Sequence, residues 1–363
     1  MTFQLVHPET LPPDLLDDLL AQGWYRMRQA VFTCRYLLGR RGLHTAVWTR
    51  LPLRGYRFRK SLRRRLRRIE GRYAVRIHPW RMTEEHAELY RRYRAHVGGD
   101  RSDELEQVLQ DESERDIFDS WEVEIRDVAG RLVAFSVFDR GRRSLESVLG
   151  VYDPDCARDG LGIATMLLEI RYGVEHGYHY HYAGYIVPGV PAFDYKRAVG
   201  GLEFYDPRAD AWRPLSELDE NQLPARQLQR ALEQVCAGLA ARGIPHQLCW
   251  HPPFRVVHMN GLQGRCMASP LFVDCGPGEG SELCLAVTYD PERGGYALEA
   301  FVRAEDLADR MGEGLAPDDG TPVETHLLVR VDRAGLTRDP QEVVAWVHRA
   351  WRAAERRRVE RRA

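Results

Sequence analysis

The chain has 363 residues, 44% of them hydrophobic, with 52 basic and 53 acidic side chains. That length buries a sizeable core and is expected to divide into two or three domains. No apolar run approaches the ~20 residues that span a bilayer, and no basic, then apolar leader opens the chain, so a cytoplasmic protein without membrane contact is expected. Seven cysteines without a CxxC pair point to free thiols in a reducing compartment.

The near-neutral total hides a strong segregation. Between Ala21 and Met82 there are seventeen arginines and Lys60 against the single acid Glu70, a net +17, so the other 301 residues carry −18. A field concentrated in this way steers a polyanion. The chain also has 50 arginines and only two lysines, Lys60 and Lys196. A surviving lysine marks a place that needs a compact ammonium with rotatable donors.

In chain order, Leu11 to Leu20 reads as a helix and leads into Gly23, Trp24 and Tyr25. In the run SLRRRLRRI, Leu62, Leu66 and Ile69 recur at spacings of four and three, giving one apolar helix face with arginines around the rest. The acids at i+4 that a salt-bridged surface helix would carry are missing. Arginine forks for phosphates, interleaved with Tyr56 and Phe58 for stacking on bases, point to RNA rather than DNA.

Glu84 to Asp119 reads as helical, with a loop at Gly98 to Ser102. Alternating patterns then predict strands at 121–126, 131–138 and 144–151, an antiparallel meander. After Tyr152, Asp153 and Pro154, the run Gly160, Leu161, Gly162, Ile163, Ala164 opens a helix to His176, followed by a strand from Tyr178 to Ile186. Meander, glycine loop, helix and strand are the order of a GNAT-type acyltransferase core, an α/β (α+β) fold with a mixed sheet in which amides at the helix start face an anionic ligand.

The motifs VYDPD, GLG and YAGYIVPGVPAFDYKRAVGGLEF, together with GWYR at Gly23 to Arg26 and YRFRKSLRRRLRR at Tyr56 to Arg68, resemble the arginyl- and leucyl-tRNA–protein transferases over residues 20–207. Asp153, Gly184, Tyr185, Pro191, Tyr195, Lys196 and Glu203 stand at the family's motif positions. The chain departs from it in lacking the family's N-terminal cysteine clusters, with only Cys34 in that region, and in Val190 before Pro191, where a cysteine is usual.

The resemblance implies transfer of an amino acid, arginine first and leucine second, from aminoacyl-tRNA to the amine of a protein or peptide. The tRNA is the co-substrate, and no other cofactor is needed. An ester is already activated, so catalysis rests on juxtaposition, deprotonation of the amine and oxyanion stabilisation. On this reading Asp153, or a water it holds, is the base, and Tyr195 and Lys196 hold the tRNA 3′ end or polarise the carbonyl. Tyr185 lines the aminoacyl pocket, Glu203 binds the donor's amino group, and Gly160 and Gly162 face the substrate. Trp24, Arg26, Arg57, Arg59, Lys60, Arg63, Arg64, Arg67 and Arg68 are the expected tRNA contacts.

Two rivals stand beside it: an acetyl-CoA-dependent N-acetyltransferase, disfavoured because Asp159 would repel a pyrophosphate beside the glycine loop, and a non-catalytic tRNA-binding protein. The expected domains are a basic region at 1–82, a transferase core at 83–213 and an α+β domain at 214–363. In the last, Leu223 to Ala241 reads as an amphipathic helix and Pro340 to Arg362 as a closing helix with a basic tail. Strands are expected near 254–258, 282–288 and 326–331. His246, Cys249, His251 and His258 are the nearest approach to a metal set, but their spacing matches no standard pattern and no metal is expected.

Overall fold

The computed structural model describes residues 3–39, 42–98, 102–111, 115–277, 283–311 and 318–360. The chain forms two compact units, and neither is continuous. One holds Leu5–Thr33 and Val47–Leu218; the other holds Met1–Gln4, Cys34–Ala46 and Asp219–Ala363. Residues of the basic segment fall in both units, Cys34–Ala46 in one and the rest of it in the other.

The core unit is built on an eight-stranded sheet. Its elements are β1 (Val47–Pro52), α1 (Lys60–Glu70), β2 (Ala74–Pro79), α2 (Glu84–Val97), β3 (Ser120–Arg126), β4 (Leu132–Arg140), β5 (Ser144–Tyr152), α3 (Leu161–Glu175), β6 (Tyr180–Ile186), β7 (Glu203–Asp206) and β8 (Ala211–Pro214). The order across the sheet is β8-β7-β1-β6-β5-β4-β3-β2. Only β5 and β6 run parallel, because α3 crosses over between them. Meander, glycine-led helix and parallel strand form the GNAT-like core expected from the sequence.

Both faces of the sheet are covered, which explains why β4 is buried at all but its last residue. On one face Leu62, Leu66 and Ile69 of α1 join Leu161, Ala164 and Leu168 of α3 in a single core. On the other, Leu89, Tyr90 and Tyr93 of α2 pack on Phe135, Val137 and Val151.

The second unit holds α4 (Pro224–Ala240), β9 (Gln247–Trp250), β10 (Leu271–Pro277), β11 (Leu283–Asp290), β12 (Gly295–Asp306), β13 (His326–Thr337) and α5 (Pro340–Glu360). The five strands form an antiparallel meander in chain order. α4 and α5 pack on one face through Leu232, Val235 and Val344, meeting Val273, Val287 and Leu298. Residues 254–259 are helical and not a strand. Pro253 starts that helix and Phe254, Val257 and His258 fall on one face, a spacing that outweighs the β-branched pair Val256 and Val257. Arg361 and Arg362 of the basic tail lie outside the described residues. Among the described residues no helix is long and apolar enough to cross a membrane.

Candidate active site

β5 and β6 pair only at their first residues, Ser144 to Glu146 against Tyr180 to Tyr182. Beyond that point β5 shifts register against β4 between Ser147 and Leu149, and β6 shifts against β1 between Tyr182 and Gly184. The two strands therefore part in the middle of the sheet. Gly184 adopts φ +72° at the shift, a conformation that side chains rarely take.

Parting leaves strand carbonyls without ladder partners, and a buried carbonyl needs a donor. The Gly184 carbonyl accepts from Thr49 Oγ1 of β1 at 2.8 Å. The carbonyls of Ala183 and Tyr185 accept instead from Lys196 Nζ, at 2.6 and 2.9 Å. Lys196 arrives on the short 3₁₀ segment Pro191–Val199. Burial of its ammonium pulls the pKa from 10.5 to about 8, against the opposing field of Glu169.

Glu169 of α3 and His181 of β6 are both fully buried and meet at 2.9 Å, Oε2 to Nε2. Sequence reasoning missed this pair, since neither residue lies in a motif. Tyr185 stands beside Lys196, its ring centroid 5.9 Å from Nζ, with Trp48 at 5.1 Å and Phe193 at 5.5 Å completing an aromatic wall. Tyr195 is 44% exposed on the same segment.

Three expected roles are corrected by geometry. Asp153 is fully buried and its two oxygens accept from Arg92 Nη2 and Arg131 Nη1, each at 2.8 Å, from Arg92 Nη1 at 3.2 Å and from the Asp155 amide at 3.0 Å. No acceptor site is left for a substrate proton, so Asp153 fixes the turn rather than acting as base. Glu203 is held by Arg50 Nε at 2.7 Å, while that guanidinium lies over Tyr180 and Trp212. It is not a bare carboxylate awaiting an ammonium. Arg26 is 8% exposed and bonds Asp139, Ser120 and the Leu109 carbonyl, which removes it from any RNA surface.

The rest of the arginine set behaves as the spacing implied. Lys60, Arg63, Arg64, Arg67 and Arg68 are exposed on α1, as are Arg57 and Arg59 before it, and Trp24 is half-buried. α1 lies against the start of α3: a Cβ on Gly160 would sit 2.2 Å from Arg65 Nη1. A Cβ on Gly162 would sit 3.1 Å from the Tyr152 ring. Asp159 beside them is occupied by Arg72 at 2.6 Å and by the Tyr73 hydroxyl at 2.5 Å. The expected repulsion of a phosphate there is thus offset, and that argument against an acyl-CoA loses its force.

Burial also reshapes the neighbouring carboxyls. Glu146 accepts from the Arg26 amide at 2.6 Å through one oxygen, while the other is buried without a partner. Desolvation and the nearby Asp139 push its pKa to about 8. Among the described residues no group of three or more His, Cys, Asp or Glu is placed to hold a metal. His251 has its two ring nitrogens 3.3 and 3.2 Å from carbonyl oxygens, those of Ser269 and His326, with one N–H to donate in the neutral ring that its burial favours.

Residues 85–206 match the family model described as arginine-tRNA-protein transferase, C terminus. The aspartate/glutamate leucyltransferase of Ruegeria pomeroyi is 32% identical over 196 residues, covering 52% of this chain and 69% of that protein. The protein of the same name from Xanthomonas campestris pv. campestris is 32% identical over 167 residues, covering 43% and 64%. The chain therefore spans about two thirds of the length of these relatives. L-PGS from Bacillus licheniformis is similar over 39% of this chain and 46% of its own, with 14% identity and a TM-score of 0.29, too distant to carry an argument.

Proposed function

We propose, from the premise that the chain belongs to the aminoacyl-tRNA–protein transferase family of acyltransferases, that it moves leucine from charged tRNA to the amine of a protein or peptide beginning with an acidic residue. The relatives' names support leucine and the acidic acceptor.

The observation that carries the reading is Lys196 in the parted sheet. A neutral amine has two N–H groups and one lone pair. Ala183 and Tyr185 take the two N–H groups, which leaves the lone pair to accept a proton. With a pKa of about 8, a usable fraction is neutral at physiological pH. In the reaction the acceptor amine attacks the ester carbonyl, the C–N bond forms and the C–O bond to the ribose breaks. Lys196 takes the proton lost by the attacking nitrogen and returns it to the leaving ribose oxygen. Tyr185, Trp48 and Phe193 supply the apolar wall against which a leucyl side chain packs.

Exposed Arg63, Arg64, Arg67 and Arg68 with Lys60 hold the tRNA backbone, and Arg65 at the start of α3 supports a phosphate of its acceptor end. The test is mass spectrometry of a peptide with an N-terminal Asp, incubated with leucyl-tRNA, arginyl-tRNA or acetyl-CoA. Addition of one leucine is expected. Addition of an acetyl group alone would establish the rival acetyltransferase, and addition of nothing would establish a binding protein. Lys196→Arg, which keeps the charge but cannot deprotonate, should lower the transfer rate by about 10²- to 10⁴-fold. It should leave tRNA affinity unchanged.

A further inference from the structure

The second unit has its own site. Along β12 the side chains alternate: Tyr296 and Leu298 face the helices, and Ala297, Glu299 and Phe301 face the opposite side of the sheet. Residues of the segment 251–270 cover part of that opposite face through Met267. The uncovered part is the floor of a cavity of about 700 Å³.

The centre of this floor is a built polar cluster. Glu299 is 5% exposed; its Oε1 accepts from Arg330 Nη1 at 3.0 Å and from Arg333 Nε and Nη2 at 2.9 and 2.7 Å, and its Oε2 from Thr288 at 3.0 Å. One carboxylate is thus shared by two guanidiniums. Around the cavity, Arg35, Arg293 and Arg338 join Arg330 and Arg333 against the acids Asp290, Glu292 and Glu299, so positive charge is in excess. Arg35 is paired with Glu292 at 2.5 Å, whereas the Arg293 side chain is 83% exposed and 3.8 Å from Asp290.

An independent observation says what kind of chain lies there. β13 is the outer strand of the sheet, and its free side is paired only at the beginning. Met267 N–H bonds the Leu328 carbonyl at 2.9 Å, and Arg330 N–H bonds the Arg265 carbonyl at 2.7 Å. From Val331 to Thr337 no described segment continues that pairing, and the Arg333 amide there donates to the side chain of its neighbour, Asp332 Oδ1, at 2.7 Å. Val331 and Leu336 stand 60% and 63% exposed on this stretch, and Leu336, Thr337 and Arg338 also line the cavity. An unpaired strand edge asks for main-chain amides, and the arginines beside it ask for carboxylates. A polyphosphate backbone would satisfy neither the edge nor the apolar residues.

We infer that the outer edge of β13 takes an extended acidic peptide segment, pairing by main chain along Val331 to Thr337 and placing its carboxylates on Arg293, Arg333 and Arg338. The site lies outside the residues that match the transferase family and does not depend on the transfer reading. It binds an internal segment and needs no free amine, which separates it from acceptor attack.

Fluorescence anisotropy with the full chain tests it, without tRNA present. The probe is an N-acetylated, fluorescein-labelled eight-residue peptide alternating valine and glutamate. It should bind, and three changes should each weaken it about tenfold or more: glutamine for glutamate in the peptide, proline at alternate peptide positions, and the exposed pair Arg293→Glu with Arg338→Glu in the protein. The two peptide controls use the unaltered protein, so a variant that failed to fold would not decide the matter. Equal binding of the glutamine or proline peptide, an unchanged affinity in a folded double variant, or binding of labelled single-stranded RNA alone would overturn the proposal.

Discussion

Removing one negative charge at Asp153 tests its assignment as an anchor. Arg92 and Arg131 converge on its fully buried carboxylate, so Asp153→Asn leaves two guanidiniums facing an amide. Loss of about 2 to 4 kcal/mol of stability is expected, measured by urea unfolding, with the transfer rate of the folded fraction little changed. A selective collapse of that rate would restore Asp153 as the base. Glu146 carries a pH signature. Its folded pKa of about 8 lies above the usual carboxylate value, so the folded state binds the proton more tightly than the unfolded chain. Stability from this group is complete below about pH 4.5 and falls as pH rises towards 8. Glu146→Gln should be close to neutral at pH 5 and more stable than the parent by about 1 to 3 kcal/mol at pH 8.5, read by denaturation at the two pH values. At this scale the sequence was unevenly legible. Lys196 stood out by its rarity and its motif position, while the carbonyls it bonds were not visible in the sequence. Arg26 could not, because a buried arginine looks like an exposed one until its partner Asp139 is placed beside it, 113 positions away.

At the scale of elements, α1 was fully legible. Leu62, Leu66 and Ile69 are 6, 4 and 1% exposed, as their spacing required, and the arginines between them stay outside. Since those arginines are not part of the core, Arg63→Ala, Arg64→Ala and Arg67→Ala combined should leave the melting temperature nearly unchanged. The dependence of log affinity for tRNA on log salt should flatten by about 2 to 3, read by filter binding over a salt series. Parting of β5 from β6 was not legible. Strand existence follows from alternation, but where two strands cease to pair depends on register shifts set by their neighbours β4 and β1. The partners of Lys196 were hidden for that reason. The helix at Phe254 to Met259 was hidden for another, its two valines suggesting a strand.

Across the whole molecule, a net charge of −1 and a sequence pI near 6.9 describe the sum and not the surface. Heparin should therefore retain the protein at pH 8, where the net charge is negative, and the triple arginine variant should elute at lower salt. Passage through the column without retention would show that the arginine field is neutralised by acids the charge count cannot locate. GNAT-like order was legible because it is a sequence of local patterns. The membership of Cys34 to Ala46 was not legible, since these residues carry no signal that they belong with residues beyond 218.

That short excursion sets a timetable for synthesis. Tyr36 and Leu38, on a hairpin made early, are buried against Leu228 and Leu232 of α4. At ribosomal rates of about 5 to 20 residues per second, roughly 10 to 40 s separate the two. Until then the nascent chain carries that hairpin, between Thr33 and Val47, without the helix that buries it. A holding chaperone would find its earliest target there, and a ribosome stalled before α4 would leave that hairpin without its cover.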